Sequence, residues 1–330
     1  MKELGRTILQ TFMNTGTRLQ IKKSYQGLYA AVGLLLIAAL VIFLITGVNF
    51  FRITNLLNVA RSFSMLGIAA IGQTMTIISG GLDLSIGEVI STANVFSATF
   101  MDGKNHLFLP ITLLTLLIGA AIGFLNGLLI TKRGVPPFIA TLGMAIVLKG
   151  LRLVWTEGLP QGKIPPALSE LGTGSSLGVP NLFYLFIVIV VIASIILKKT
   201  GYGRRLYAVG TNSNVATLSG IRTDRIKIFA YVICGLSGAL VGLLLGGYTG
   251  MSDQFIGEGY DIDTIAAAVL GGAAIGGGFG SVRGTVIGVF IMLIITNLSL
   301  LVHFPIQSQM MIKGVLIIFA LWMSSRKQKN

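Results

Sequence analysis

Ten apolar runs govern what this chain can fold into. The first, "LYAAVGLLLIAALVIFLITGV", contains no charged residue along its length. About 20 such residues cross the hydrocarbon core of a bilayer as one helix. Nine more runs follow, at roughly 62–79, 85–101, 108–131, 136–155, 182–198, 227–247, 263–276, 284–302 and 307–323. The third and eighth are short and interrupted by glycine or polar residues. Only 11% of the residues are charged, against about 25% in a soluble domain. The expected fold class is therefore all-α: a polytopic membrane protein of about ten transmembrane helices.

Charge placement orients the spans. Residues 1–27 form a basic tail, and the first run lacks a cleavage site, so it is expected to stay in the membrane. Lys132 and Arg133 fall in one inner connection; Lys198, Lys199, Arg204, Arg205, Arg222, Arg225 and Lys227 fall in another; Arg326, Lys327 and Lys329 close the chain. The outer connections 156–181 and 248–262 hold one Lys against five acidic residues. Both termini are then cytosolic, with Arg52 and Arg61 as exceptions near an outer loop. The expected organisation is a cytosolic tail 1–27, a membrane domain 28–323 with an inner loop at 199–226, and a cytosolic tail 324–330.

The net charge of +14 sits in these short clusters, without the basic stripe and interleaved aromatics of a nucleic-acid surface. One cysteine, Cys234, excludes an internal disulfide and reads as a small buried hydrophobe. Two distant histidines argue against a His/Cys metal site, and no cofactor is implied. Neither a P-loop nor a G-x-S-x-G or H-E-x-x-H motif occurs, so the chain reads as a transporter component and not as an enzyme.

Two stretches stand out. In "GGLDLSIGEV", Gly80 and Gly81 can end one helix and Ser85 with Glu88 fits a capping box opening the next. Asp83 sits where a carboxylate favours the new helix dipole; a carboxylate in the membrane can alternatively mark an ion path. On the capping reading Glu88→Gln is tolerated and Asp83→Asn, which removes a partner for Arg61 or Arg283, is the more harmful change. The second stretch, residues 201–227, is the longest inner connection. Thr211 or Asn212 can cap a short helix, "SNVATLS", that Gly220 ends. Gln73, Ser91 and Asn94 group in the second and third spans as candidates for lining a polar path. A weak five-plus-five repeat is suggested by "SGGLDLSIGEVI" and "GGGFGSVRGTVIGVFI", each a glycine cluster between apolar runs.

"GGLDLSIG" followed by "YAVGTNSNVATLSGI" resembles the membrane subunits of bacterial ribose-type sugar ABC importers, whose broader relatives carry branched-chain amino acids, autoinducer-2 and nucleosides. "LNGLLITKRGVPPFIATLGM" and "IAAAVLGGAAIGGGFGSVRGTVIG" are similar to further family segments, so the likeness spans nearly the whole chain. It implies a permease of the bacterial inner membrane that pairs with a second copy or a sister permease. A cytosolic ABC ATPase and an extracytoplasmic substrate-binding protein are the other implied partners, with membrane lipid around the spans and no nucleic acid. The family's first motif falls on Gly80, Gly81, Asp83, Ser85 and Gly87. ATPase coupling falls on Asn212, Asn214, Ala216, Ser219 and Gly220, with Ser213 and Asn214 standing where the family more usually has an acidic residue. An ion-coupled secondary transporter or channel using Asp83 or Glu88 is the alternative of another class.

Overall fold

The computed structural model describes residues 50–305 and 307–315, with positions 33, 37, 40, 43, 44 and 318. The chain divides into two units, Met1–Phe50 and Phe51–Asn330. Apart from Phe50, the long described segments lie in the second unit. The expected tails 1–27 and 324–330, and most of the first span, lie outside the described residues.

The fold is that of an all-α polytopic membrane protein. Its helices are α1 (Ile53–Ile78), α2 (Ile86–Met101), α3 (Phe108–Lys132), α4 (Pro137–Thr156), α5 (Pro166–Thr173), α6 (Asn181–Lys199), α7 (Gly201–Thr211), α8 (Ser213–Leu218), α9 (Thr223–Thr249), α10 (Tyr260–Leu270) and α11 (Val282–Leu301). Residues 307–315 are helical as well. Among the described residues, five helical stretches, Asn105–Lys132, Pro137–Thr156, Asn181–Lys199, Thr223–Thr249 and Val282–Leu301, are long and apolar enough to cross a membrane.

Burial separates an inner layer from an outer one. Every residue of α1 from Ser64 to Ile78 is buried, whereas α3, α4 and α6 bury only 22% of their apolar windows. Their exposed faces (Leu113 and Leu117, Ile146 and Leu151, Val188 and Val191) are apolar, as lipid contact requires. Close approach of α3 to α9 depends on small residues one turn apart. A Cβ at Gly119, Gly123 or Gly127 would run into Gly235, Tyr231 or Ile228 of α9.

Two features depart from the sequence expectation. The connection 156–181, expected on the outer side, holds α5 and a two-strand hairpin, Ser175–Ser176 with Val179–Pro180. Arg61 belongs to it: its Nη2 donates to the Thr173 carbonyl at 3.0 Å, a cation at the C-terminal end of α5 where the helix dipole favours one. The eighth run, expected over 263–276, yields a helix ending at Leu270, because glycines at 272, 277 and 278 take positive φ and turn the chain.

Candidate functional site

The interruption between α1 and α2 leaves irregular backbone whose polar groups need partners outside a helix, and Gly81, Asp83 and Ser85 within it are buried. Gly80, at φ 85°, ends α1, with Gly80 N–H donating to Ile77 O (3.0 Å) and Gly81 N–H to Thr76 O (2.9 Å). Beyond it, side chains from four helices take over. From α1, the Gln73 amide lies across both backbone groups of Asp83, and with its oxygen assigned toward Asp83 N–H (3.1 Å) and its nitrogen toward Asp83 O (3.2 Å) it satisfies both. Thr141 of α4 accepts from Leu84 N–H at 3.1 Å, and the Tyr231 hydroxyl of α9 donates to Leu82 O at 3.3 Å. Asp83, 1% exposed, accepts from both the backbone N–H (2.9 Å) and the hydroxyl (2.6 Å) of Ser85. Asn126 of α3 completes the cage by donating to the Ser85 oxygen at 2.9 Å. A Cβ at Gly81 would strike the Tyr231 hydroxyl, and one at Gly87 would meet the Gly257 carbonyl.

This geometry corrects the capping box. Ser85 does stand at the N-cap of α2, yet its side chain makes no cap hydrogen bond, because Asp83 and Asn126 occupy it. Glu88 does not reach back; its Oε2 meets Arg152 Nη2 at 2.7 Å. The expected pairing of Asp83 with Arg61 or Arg283 is corrected too: Asp83 bonds Ser85, Arg61 bonds Asn58 and Thr173, and no ion pair joins Asp83 to an arginine among the described residues.

Arg152, which sequence reasoning passed over, organises a second polar cluster. Its side chain is 1% exposed and donates through Nε to Gln254 Oε1 (3.1 Å) and through Nη1 to Thr92 (3.2 Å). Gln254 in turn donates to the Thr156 hydroxyl at 2.6 Å. The cluster thus ties α2, α4 and the loop 250–259 together. A charge in the middle of "MAIVLKGLRLVWT" was the available signal, since such residues are costly in a bilayer and need a partner.

The three residues expected to line a polar path are buried, and each bonds backbone. Gln73 serves Asp83 as described, Ser91 accepts from Gly257 N–H at 3.0 Å, and Asn94 accepts from Asp253 N–H at 2.8 Å. Each is at most 1% exposed. Ser91 and Asn94 therefore hold the loop 250–259 against α2.

In the loop 199–226, Asn212 is the cap: its Oδ1 accepts from Asn214 N–H (3.0 Å) and Val215 N–H (3.1 Å). Gly220, at φ 79°, follows the end of α8, and Ile221 N–H closes on Ala216 O at 3.0 Å. Asn214 and Ser219 are exposed. Ala216 is not an outward contact. It is 4% exposed and packs into the main hydrophobic cluster, while Val215 (57%) and Leu218 (88%) point outward. The helix α7, unforeseen in sequence, precedes α8 and buries Gly203, Leu206 and Val209.

Comparison with known proteins places this all-α membrane bundle, with its break between α1 and α2, among transport permeases. The chain belongs to the family described as the permease component of the branched-chain amino acid transport system, which matches residues 55–321. It is 35% identical over 300 residues to the ribose import permease protein RbsC of Escherichia coli K12, covering 89% of this chain and 93% of the relative. RbsC of Bacillus subtilis 168 is 35% identical over 281 residues (84% and 87%). The autoinducer 2 import system permease protein LsrC of Yersinia enterocolitica is 31% identical over 297 residues (89% and 82%). No solved structure matches.

Proposed function

We propose that this chain is the membrane-spanning subunit of an ATP-driven importer in the bacterial inner membrane, carrying a ribose-type monosaccharide into the cytosol. A separate cytosolic ATPase docks on α8, and an extracytoplasmic binding protein delivers the sugar. The names of the 35% identical relatives support the sugar. The carrying observation for the ATPase is the presentation of α8: Ala216 anchors it inward while Val215 and Leu218 face out, amid the exposed Arg204, Arg205, Arg222 and Arg225. That surface suits an apolar groove with acidic edges.

Tritiated D-ribose uptake tests the reading, in cells with and without this gene. Uptake should stop on ATP depletion and survive a protonophore while ATP is maintained. The reverse pattern would favour ion coupling. The same proposal has ten spans with both ends cytosolic. Gly162 is a poor labelling site, since its φ is +85° and a Cβ there would run into Ala98 O. Leu177, 99% exposed at the hairpin tip, and Leu218 are better. Leu177→Cys should react with an impermeant maleimide from outside and Leu218→Cys only from inside, with buried Cys234 silent. Reversed labelling sinks this topology.

A further inference from the structure

The two glycine-rich interruptions, far apart in sequence, meet in space, and the element that precedes α8 meets both. Gly278 N–H donates to the carbonyl of Ile78, the last residue of α1, at 2.9 Å. A Cβ on Gly277 would lie 2.7 Å from Gly210 O and 2.8 Å from Gly80 Cα. A Cβ on Gly210 of α7 would run into Ile78 O and Gly278 N. The Tyr207 hydroxyl, one turn before Gly210, donates to Gly280 O at 2.8 Å. Three segments therefore touch backbone to backbone: the end of α7, the loop after α10, and the end of α1.

Such a contact is stiff. A side chain between two elements can change rotamer and absorb a shift of an ångström, whereas close-packed backbone transmits it. The flanks suit a lever. Asn212 is at once the C-cap of α7 and the N-cap of α8, so the two helices share one residue as their joint. At the far end Thr200 separates α6 from α7, with its hydroxyl accepting from Gly203 N–H at 3.3 Å. Beyond Ile78 only Ser79 to Leu82 precede Asp83, whose neighbours are held by Gln73, Thr141, Tyr231 and Asn126.

We propose that the contact of Gly210 with Ile78 and Gly278, tied down by the Tyr207 hydroxyl, passes displacement of α8 to the α1–α2 interruption. Tyr207 and Gly210 are then positioning residues of transport. This rests on ATPase docking at α8; the junction itself can be examined in the permease alone.

Hydrogen exchange on the purified permease in lipid nanodiscs is the first arm. Tyr207→Phe should speed exchange at Gly278 and across 80–85 about five-fold, the worth of one net hydrogen bond, and leave the α3–α9 contact unchanged. Wild-type rates there overturn the proposal. The second arm uses the whole transporter, reading ATPase pull-down, ATP hydrolysis and tritiated D-ribose uptake. Tyr207→Phe and Gly210→Ala should keep the ATPase and its hydrolysis and lose about five-fold or more in ribose carried per ATP. If Gly210→Ala fails to insert, Tyr207→Phe decides. Normal uptake per ATP in Tyr207→Phe, with the ATPase bound, sinks the transmission alone. A wild-type permease that binds no ATPase sinks the docking reading, and the transmission with it.

Discussion

The interruptions 79–85 and 271–281 solve the same problem by opposite means. Both interrupt a helix and leave backbone N–H and C=O groups without helical partners, which packed neighbours must supply. The first is satisfied by side chains: Gln73, Thr141, Tyr231 and Asp83 reach into it from three helices and from the segment itself. The second is satisfied mostly by backbone, with one side chain, the Tyr207 hydroxyl, on Gly280 O. Ala273 N–H donates to Ala268 O (3.0 Å), Ala274 N–H to Phe279 O (3.1 Å), Gly277 N–H to Ala274 O (2.9 Å) and Gly278 N–H to Ile78 O. Glycines at φ 90°, 86° and 76° (272, 277 and 278) make those turns. The first break is thus specified by which side chains are present, and the second by where none is. Substitution should separate them.

The largest effect is expected just past the first break, in the first turn of α2. Glu88→Gln leaves the Arg152 guanidinium, whose side chain is 1% exposed, without its anionic partner. Removing one member of a buried ion pair costs about 3–5 kcal/mol; the 22% exposure of Glu88 puts this case at or below about 3 kcal/mol. Asp83→Asn should cost less, because an amide oxygen can still accept from Ser85 N–H. This order reverses the one expected from sequence. Thermal melting of the two variants in detergent checks it, and a Glu88→Gln protein that melts with or above Asp83→Asn would show that the Arg152 cluster is not holding α2.

A smaller pair of substitutions sharpens the contrast. Thr141→Val keeps shape and removes the acceptor for Leu84 N–H, so an unsatisfied buried group should cost about 1–3 kcal/mol. Gly278→Ala adds only a methyl group, yet at φ 76° the left-handed backbone costs about 1–2 kcal/mol, and the new carbon would lie 2.5 Å from Thr211 Oγ1. Comparable losses of melting temperature from removing a hydroxyl at one site and adding a methyl at the other would support the division. A neutral Gly278→Ala would break it.

What could be read from sequence follows the same line. The apolar runs and the Lys/Arg clusters are one-dimensional signals, and helices stand where most of the described runs predicted them, the eighth stopping early at Leu270. The Asn212 cap and the Gly220 stop are local too, each set within a few residues. Glu88 with Arg152, Ser91 with Gly257 and Ile78 with Gly278 are not. Each joins positions 60 or more apart, as the numbering shows, and nothing local says which of several polar groups will meet. The α7 helix was legible in part, since Gly203, Leu206 and Val209 recur at helical spacing, but its three glycines and two adjacent arginines read as a loop.

The smallest expected effect on stability falls on α8, and it bears most directly on function. Ala216→Arg cannot test ATPase docking: Ala216 is 4% exposed and lies in this chain's own core, so a charge there would damage the permease before any partner met it. Leu218, 88% exposed, has no such ambiguity. Leu218→Asp should change stability by no more than about 0.5 kcal/mol, as for surface positions generally. It should nevertheless remove an apolar anchor from the outward face of α8 and place a negative charge among Arg204, Arg205, Arg222 and Arg225. The variant should insert, melt like wild type, and lose both ATPase pull-down and ribose uptake. Full uptake by a normally folded Leu218→Asp permease would mean that the exposed face of α8 makes no contact that transport needs.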